Sequence, residues 1–481
     1  MAVRGRCDSL ALKLTDASEM SPGDETDLLL RQAWTALGGD PALLDLVQFT
    51  GDGTGLLPSN TAALPAMTAA MTASTLAASL LDAARGTGAP KRVFIDREHV
   101  AVAARSEYYA RSAALEEPDR MSPFFRFWMT ADGRWFRVHG EYPWHRSRAL
   151  AVLQCEDRHR SVKDAISRWR AEDLEDALDA AGGLGYAVRS EQEWLEHPQG
   201  RAVAALPLLQ SEAGTGTGRL ADASRGATGL RVLDLTRALA GPIATRTLAA
   251  WGAEVVRIDG PGLPEEPAHA LDTLPGKRSA ELDLADPANR TTLEELLGGA
   301  DLLVQGYRPG ALARFGLDAR TLSERHPHLN VITLSAWGPS GPWATRRGFD
   351  SVVQCPVGIS QVEGTGDRPG ALPSRVLDHA MGYLAAAASM LAVASVQHGG
   401  SPQSVQLSLA QTARWLLGVG TTSRGEPRRP DVDAYRVVLP GAVAPVDVVR
   451  PPGRLVDLEP SWSFTTDLGA DAPEFSAARQ T

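Results

Sequence analysis

The stretch that most constrains the fold is "LRVLDLTRALAGPIATRTLAAWGAEVVRID", residues 230–259. Leu230 to Thr236 is a short β-rich run, "GPIATRTLAAWGA" has helical periodicity closed by Gly252, and Glu254 to Asp259 is a second strand. A strand, a helix of this length and another strand make a right-handed parallel unit, because a twisted sheet accepts the returning helix in that hand. Two further apolar runs, Ala300 to Tyr307 and Leu329 to Trp337, extend the parallel sheet. The pattern predicts a doubly wound, nucleotide-binding type of layer sandwich.

In such a sheet the ligand lies outside the carboxyl ends of the strands. Those ends are "TRALAGP" (236–242), "DGPG" (259–262), "QGYRPG" (305–310) and "WGPSGP" (337–342), all rich in Gly and Pro. Close backbone approach to a ligand and ordinary turn chemistry both account for that composition. Basic residues gather around them: Arg237, Arg257, Lys277, Arg278, Arg308 and Arg314. Each alone suits solvated surface; together at adjacent strand ends they suit an anionic, phosphate-bearing ligand. A dinucleotide fingerprint is missing, since "RALAGPIA" lacks GxGxxG, and "PGKRS" (275–279) lacks the leading glycine of a phosphate-binding P-loop. Neither GxSxG nor HExxH is present.

At 481 residues the chain is expected to hold two to four folding units. The Gly/Ser/Thr/Ala-rich segment Ser211 to Gly229 reads as a linker, with a module at 1–215 before it, an α/β domain at 230–424 after it, and an irregular Pro/Asp/Arg-rich tail at 425–481. A net charge of −10 argues against nonspecific nucleic-acid binding. Cys7, Cys155 and Cys355 form no disulfide framework and no metal-ligand spacing, so no metal site is expected. The opening "MAVRGRCDSLALKLTD" has no continuous apolar run of a secretory signal. The most membrane-like stretch, Ala380 to Val396, is short for a span and reads as a buried helix, so the protein is expected to be cytoplasmic and not membrane-bound.

That apolar helix opens on "LPSRVLDHAMGYL", which places Asp378 and His379 at its mouth. Asp378 suits an N-cap, a contribution of about 1 kcal/mol. The same location predicts a carboxylate kept ionised by the helix N-terminus, with a pKa at or below about 3.9, which makes it a candidate nucleophile. A partial echo lies upstream. "LAASLLDAARGTGAPKRVFIDREHVAVAA" (76–104) and "AAAASMLAVASVQHGGSPQSVQLSLAQTA" (385–413) share one helix–turn–strand–helix pattern, aligning Val93 with Val405. "LPSNTAALPAMTAAM" precedes the first copy with no acid at the position of Asp378.

From Leu230 to about Arg414 the sequence resembles the class III CoA-transferases (CaiB/BaiF), the carnitine, bile-acid and formyl-CoA transferase family, with "GKRSAELDLADPANRTTLEELLGGADLLVQGYRPGALARFGLDARTL" carrying much of the likeness. "FRFWMTADGRWFRVHGEYPWHRSRALAVL" (125–153) and "AAGGLGYAVRSEQEWLEHPQGRAVAALPLL" (180–209) resemble that family's small domain, at about 120–180 here, and its return segment. The family's order is thus inverted, as in a permuted or duplicated chain. The resemblance implies an α/β fold with a doubly wound parallel-sheet, nucleotide-binding-type large domain and a smaller α+β domain.

It also implies an acyl-CoA:carboxylate CoA-transferase acting through a covalent aspartyl intermediate at Asp378. The partners it implies are an acyl-CoA and a carboxylic acid acceptor, with CoA thioester as substrate, no permanently bound cofactor, and a homodimer. By the same resemblance Arg237, Ala240, Arg257, Lys277, Arg278, Tyr307 and Arg314 bind CoA. Two alternatives stand beside it: a non-catalytic CoA-binding homologue, and an acyl-CoA racemase, whose His-Asp pair falls on Phe349 and Asp350 and so lacks one base.

Overall fold

A computed structural model describes residues 22–115, 124, 126–220, 222, 224–422 and 425–476; Cys7 and the opening stretch lie outside them. Seven strands form the main sheet: β1 (Leu209–Ala213), β2 (Arg231–Leu235), β3 (Glu254–Asp259), β4 (Lys277–Glu281), β5 (Leu302–Gln305), β6 (Asn330–Ser335) and β7 (Gln403–Ser408). Their order is β4-β3-β2-β5-β6-β7-β1. All pairs are parallel except β7 with β1. From β2 the chain winds outward to β3 and β4, and from β5 outward the other way. The point of reversal therefore lies between β2 and β5, where the loops after both strands part and leave a crevice.

The expected α/β, doubly wound parallel-sheet class is what the chain adopts. Strand residues alternate between two cores: Val232, Leu302 and Val304 face one, and Leu233, Val256 and Leu303 face the other. Both faces are covered by helices, which is why these strands read as almost unbroken apolar runs. Helix Pro287–Gly299 closes the second face with Leu293, Leu296 and Leu297. The first face carries α2 (Ala240–Ala250) and α3 (Val376–Gln397), with α1 (Ala63–Asp82) packed against α3. Small residues let these helices approach closely: a Cβ on Gly382 of α3 would sit 2.6 Å from the Ala240 carbonyl oxygen of α2. The helices containing residues 63–86 and 376–397 are long and apolar enough to cross a membrane, but most of each is buried inside the protein.

The smaller α+β domain pairs Phe127–Met129, Trp135–Val138 and Gly185–Ala187 antiparallel under helices Pro143–Leu153, His159–Ile166 and Ala171–Ala180. The echoed segment forms a separate three-stranded sheet. Val47–Thr50 runs parallel to Val93–Asp96, and Arg454–Leu455 runs antiparallel on the other side. That is the arrangement of β6, β7 and β1, with Val93 against Val47 as Val405 is against Ile332.

Three details differ from the sequence reading. "GKRSAE" is the edge strand β4, not a loop, because its backbone completes the β3 ladder although its side chains are polar. β1 extends to Ala213, into the segment read as linker. The tail carries strands Arg436–Leu439, Val446–Val449 and Arg454–Leu455, where the Val pairs in "RVVL" and "VDVV" outweigh the Pro-rich surroundings.

Candidate active site

Asp378 does not cap its helix. Arg375 is the N-cap residue and gives no side-chain cap, and Asp378 lies in the first turn. The capping carboxylate comes from Asp350, on the short helix Asp350–Val353, whose Oδ2 accepts the backbone N–H groups of Leu377 at 2.8 Å and Asp378 at 3.2 Å. Gln354 Nε2 donates to the other oxygen. Asp350 thus does what the sequence reading gives to Asp378, and it frees Asp378 from that duty. Among the described residues, no hydrogen bond or ion pair reaches the Asp378 carboxylate oxygens.

The expected acidity is also corrected. Burial raises the pKa of Asp378 well above the ordinary carboxylate value; Asp350, Glu107 and Glu141 push the same way, and Arg375 opposes them. Burial outweighs the helix N-terminus here because the charged form is being held out of water beside a second carboxylate. Asp350 is raised as well, first by burial, with its hydrogen bonds to Gln354, Asp378 and Leu377 pulling it back. The two buried acids stand at the foot of one helix, where the Asp350 carboxylate disfavours the charged form of Asp378.

The side chain of Asp378 lines a cavity of about 100 Å³ at the carboxyl ends of the strands, shared with Ala240, Gly306, Arg308 and Phe349. This opens into an outer chamber of about 340 Å³ lined by Tyr142, Trp144, His145 and Arg148 of the small domain and by Tyr307 and Arg347. Arg237, Gly306, Arg308, Gly348 and Phe349 border both. The crevice stands over the β2/β5 reversal point, with Asp378 at its inner end. Ala238 on its rim holds φ at 61°, a left-handed conformation that costs a non-glycine residue roughly 1–3 kcal/mol and turns its N–H onto Glu265 Oε2 at 2.8 Å.

The sequence-predicted basic residues divide. Arg237 and Tyr307 line the outer chamber, Ala240 the inner one; Arg237 also lies over the rings of Tyr142 and Trp144. Arg257 is fully buried within β3, with its Nε 2.7 Å from Asp259 Oδ2 and its Nη2 3.1 Å from Glu265 Oε2. Burial alone would raise Glu265, but Arg257, the Tyr142 hydroxyl and Arg237 hold it down to about 2. Lys277 is also fully buried, its Nζ bonded to Asp234, Thr245 and the Pro242 carbonyl, and burial lowers it to about 8 against the pull of Asp234. Arg278 faces Glu254 at 3.8 Å, and the exposed Arg314 stacks on Phe315. The fold does not bring these four to the cleft.

Instead the cleft holds Arg148, Arg308 and Arg347, which form no ion pair among the described residues. Arg148 and Arg308 donate to carbonyls only, of Gly182 and Thr345. Burial lowers the pKa of Arg347, and the neighbouring Arg308 and Arg148 lower it further, as in an uncompensated cationic cluster. The sequence reading includes Arg308 among the loop cations but singles out neither Arg148 nor Arg347, because proximity across two domains leaves no local pattern. The cluster, the aromatic wall and a free buried carboxylate together suit an elongated ligand with a polyanionic end and a reactive acyl end.

Residues 228–437 match the family model "CoA-transferase family III". An acyl-CoA transferase of Gibberella moniliformis is 32% identical over 300 residues, 56% of this chain and 53% of its own. A succinyl-CoA:glutarate CoA-transferase of Mus musculus is 30% identical over 186 residues, 35% of this chain and 43% of its own. Among solved structures, a CaiB/BaiF family protein from Brucella suis covers 40% of this chain and 55% of its own at 25% identity, with a TM-score of 0.36. The chain spans about half the length of the curated relatives it matches.

Proposed function

From a chain whose residues 228–437 carry the pattern of CoA-transferase family III, we propose an acyl-CoA:carboxylate CoA-transferase that works through a covalent aspartyl intermediate at Asp378. The observation that carries this reading is the buried carboxylate of Asp378, which has no hydrogen-bond or ion-pair partner among the described residues, at the inner end of a cleft whose Arg148, Arg308 and Arg347 have no ion-pair partner among them either.

The chemistry balances in four steps. The ionised Asp378 oxygen attacks the thioester carbonyl of the donor acyl-CoA; the C–S bond breaks, leaving a mixed anhydride and CoA thiolate. The thiolate attacks the aspartyl carbonyl, forms an enzyme thioester and expels the donor carboxylate. The acceptor carboxylate attacks that thioester, giving a second anhydride and thiolate again. Thiolate attack on the acceptor's carbonyl then yields the new acyl-CoA and returns Asp378 to its carboxylate. Covalent catalysis exchanges one difficult transfer for easier ones.

Each part of the cleft serves a step. Burial strips water from the nucleophile and protects the anhydrides from hydrolysis. The raised pKa means a more basic, hence more nucleophilic, carboxylate once ionised. Asp350 holds the first turn so that Asp378 faces the cavity. The phosphate-bearing end of CoA is carried by Arg148, Arg308 and Arg347; Arg237 beside them shares its charge with Glu265 at 3.8 Å, and Arg257 and Lys277 are neutralised by internal carboxylates. A donor acyl-CoA incubated with a panel of carboxylic acids should give exchanged acyl-CoA in the presence of the protein and none with D378A. Equal exchange by D378A would end the proposal.

One observation favours a second reading, proton exchange α to the thioester. The position of the missing base, Phe349, is covered by the imidazole of His139, with ring centroids 4.5 Å apart, and His139 Nε2 lies 3.5 Å from Glu141 Oε2. Deuterium uptake at the α-carbon in D₂O without CoA exchange would select it.

A further inference from the structure

The catalytic helix is clamped by a residue from outside both domains of the cleft. Glu107 lies on the short helix Ser106–Tyr109, just beyond the echoed segment 76–104 of the N-terminal unit. Its Oε2 is 2.9 Å from His379 Nε2, and its Oε1 is 3.5 Å from Arg375 Nη1. Arg375 is held on its other side by Glu141 of the small domain at 3.3 Å, and it also donates to the Tyr108 hydroxyl at 3.1 Å. Arg375 and His379 stand three residues before and one residue after Asp378. Three parts of the molecule therefore meet on the first turn of α3. Glu107, Arg375 and His379 are all buried or nearly so, which gives their mutual attraction its strength and their separation its cost.

We infer that Glu107 is a positioning residue for Asp378, acting through Arg375 and His379 and supplied by the N-terminal unit in place of any carboxylate chemistry of its own. The inference rests on the reading of Asp378 as nucleophile. Its physical content is a competition for one guanidinium. Arg375 is the cation nearest the nucleophile in sequence, and an unopposed Arg375 would turn to Asp378, pair with it and quench it. Glu107 and Glu141 hold Arg375 away and share its charge. Burial alone would raise Glu107, but His379 and Arg375 bring it down to about 2, so it stays an anion throughout the working range.

Charged groups from four elements act on Asp378: Asp350 on its short helix, Glu107 on the N-terminal unit and Glu141 on the small domain raise its pKa, and Arg375 on α3 lowers it. His379 on α3, Tyr108 on the N-terminal unit and His139 on the small domain stand beside those groups. His269, on helix Pro267–Thr273, faces Glu141, and Arg237, Arg308 and Arg346 line the inner cavity. Because the His379 imidazole is itself bonded to Glu107, the charge of Glu107 is best tested with that ring removed.

The experiment measures the initial rate of covalent adduct formation on Asp378 from an acyl-CoA across pH, comparing H379Q with the double variant H379Q/E107Q. Losing the anion and releasing Arg375 both favour ionised Asp378, so the acidic limb is expected to move down by roughly one pH unit, with a lower plateau as Arg375 pairs with the nucleophile. H379Q/E107D, which keeps the charge, is expected to return the limb to the H379Q position. Should H379Q fail to fold, E107Q and E107D in the otherwise native chain give the same comparison. A limb that stays put while the plateau or the melting temperature falls would show a merely structural role and overturn the inference. Absence of any adduct in the native chain would overturn the nucleophile reading, and this inference with it.

Discussion

At the scale of single residues, two carboxylates divide a task that the sequence gives to one. Asp378 was legible as the acid at the mouth of an apolar helix; Asp350 was not, because it reaches the helix from 28 residues away and caps it across space. A consequence is a stability cost at Asp378. Burial and Asp350 raise the folded-state pKa of Asp378 above the unfolded value of about 3.9, so the unfolded chain ionises first. Stability therefore falls as pH rises from about 4 toward the folded pKa. D378N removes that loss: thermal melts should show it more stable than the native chain at pH 7, with the difference closing near about pH 4. The cationic cluster makes a second residue-level prediction. R308Q and R347Q should each raise KM for a donor acyl-CoA roughly tenfold at low salt, less at high salt, while R278Q and R314Q stay within about twofold. Steady-state kinetics on the four variants decides whether free charge, and not sequence position, marks the phosphate site.

At the scale of elements, the β-rich runs were readable because buried parallel strands leave little choice of residue, and β2, β3, β5 and β6 fall where apolar runs predict them. β4 was missed since an edge strand needs backbone partners more than apolar side chains, and "GKRSAE" carries a lysine whose partners, Asp234 and Thr245, lie on other elements. Helix α3 is read correctly as buried, but the reason lies in its neighbours: Gly382 allows α2 to pass within contact of its backbone. G382A would push a methyl group against the Ala240 carbonyl and Ile243, an overpacking cost of about 1–3 kcal/mol. Since Ala240 opens α2 and lines the inner cavity, the strain should also reach the cleft. Denaturant titration should show the loss, and turnover should fall more than the stability change alone explains.

At the scale of the whole molecule, the internal echo was visible as a sequence pattern, yet what the copy does was not. It builds its own small sheet, lays α1 along α3 and is followed by Glu107, which reaches the first turn of α3. Such contacts join residues hundreds of positions apart, and no local spacing announces them. The two halves are also tied by β1, which runs into the segment read as a linker and completes the sheet built after it. Trypsin cleavage at the exposed Arg219 should therefore leave two fragments that co-elute in gel filtration and keep activity. Fragments that separate would show that the linker, not the interface, holds the halves together. The central claim is the covalent aspartate, and mass spectrometry tests it most directly. With acyl-CoA and hydroxylamine, the peptide containing Asp378 should carry the mass of a hydroxamate, absent in D378N; an unmodified Asp378 peptide alongside CoA exchange would contradict the account.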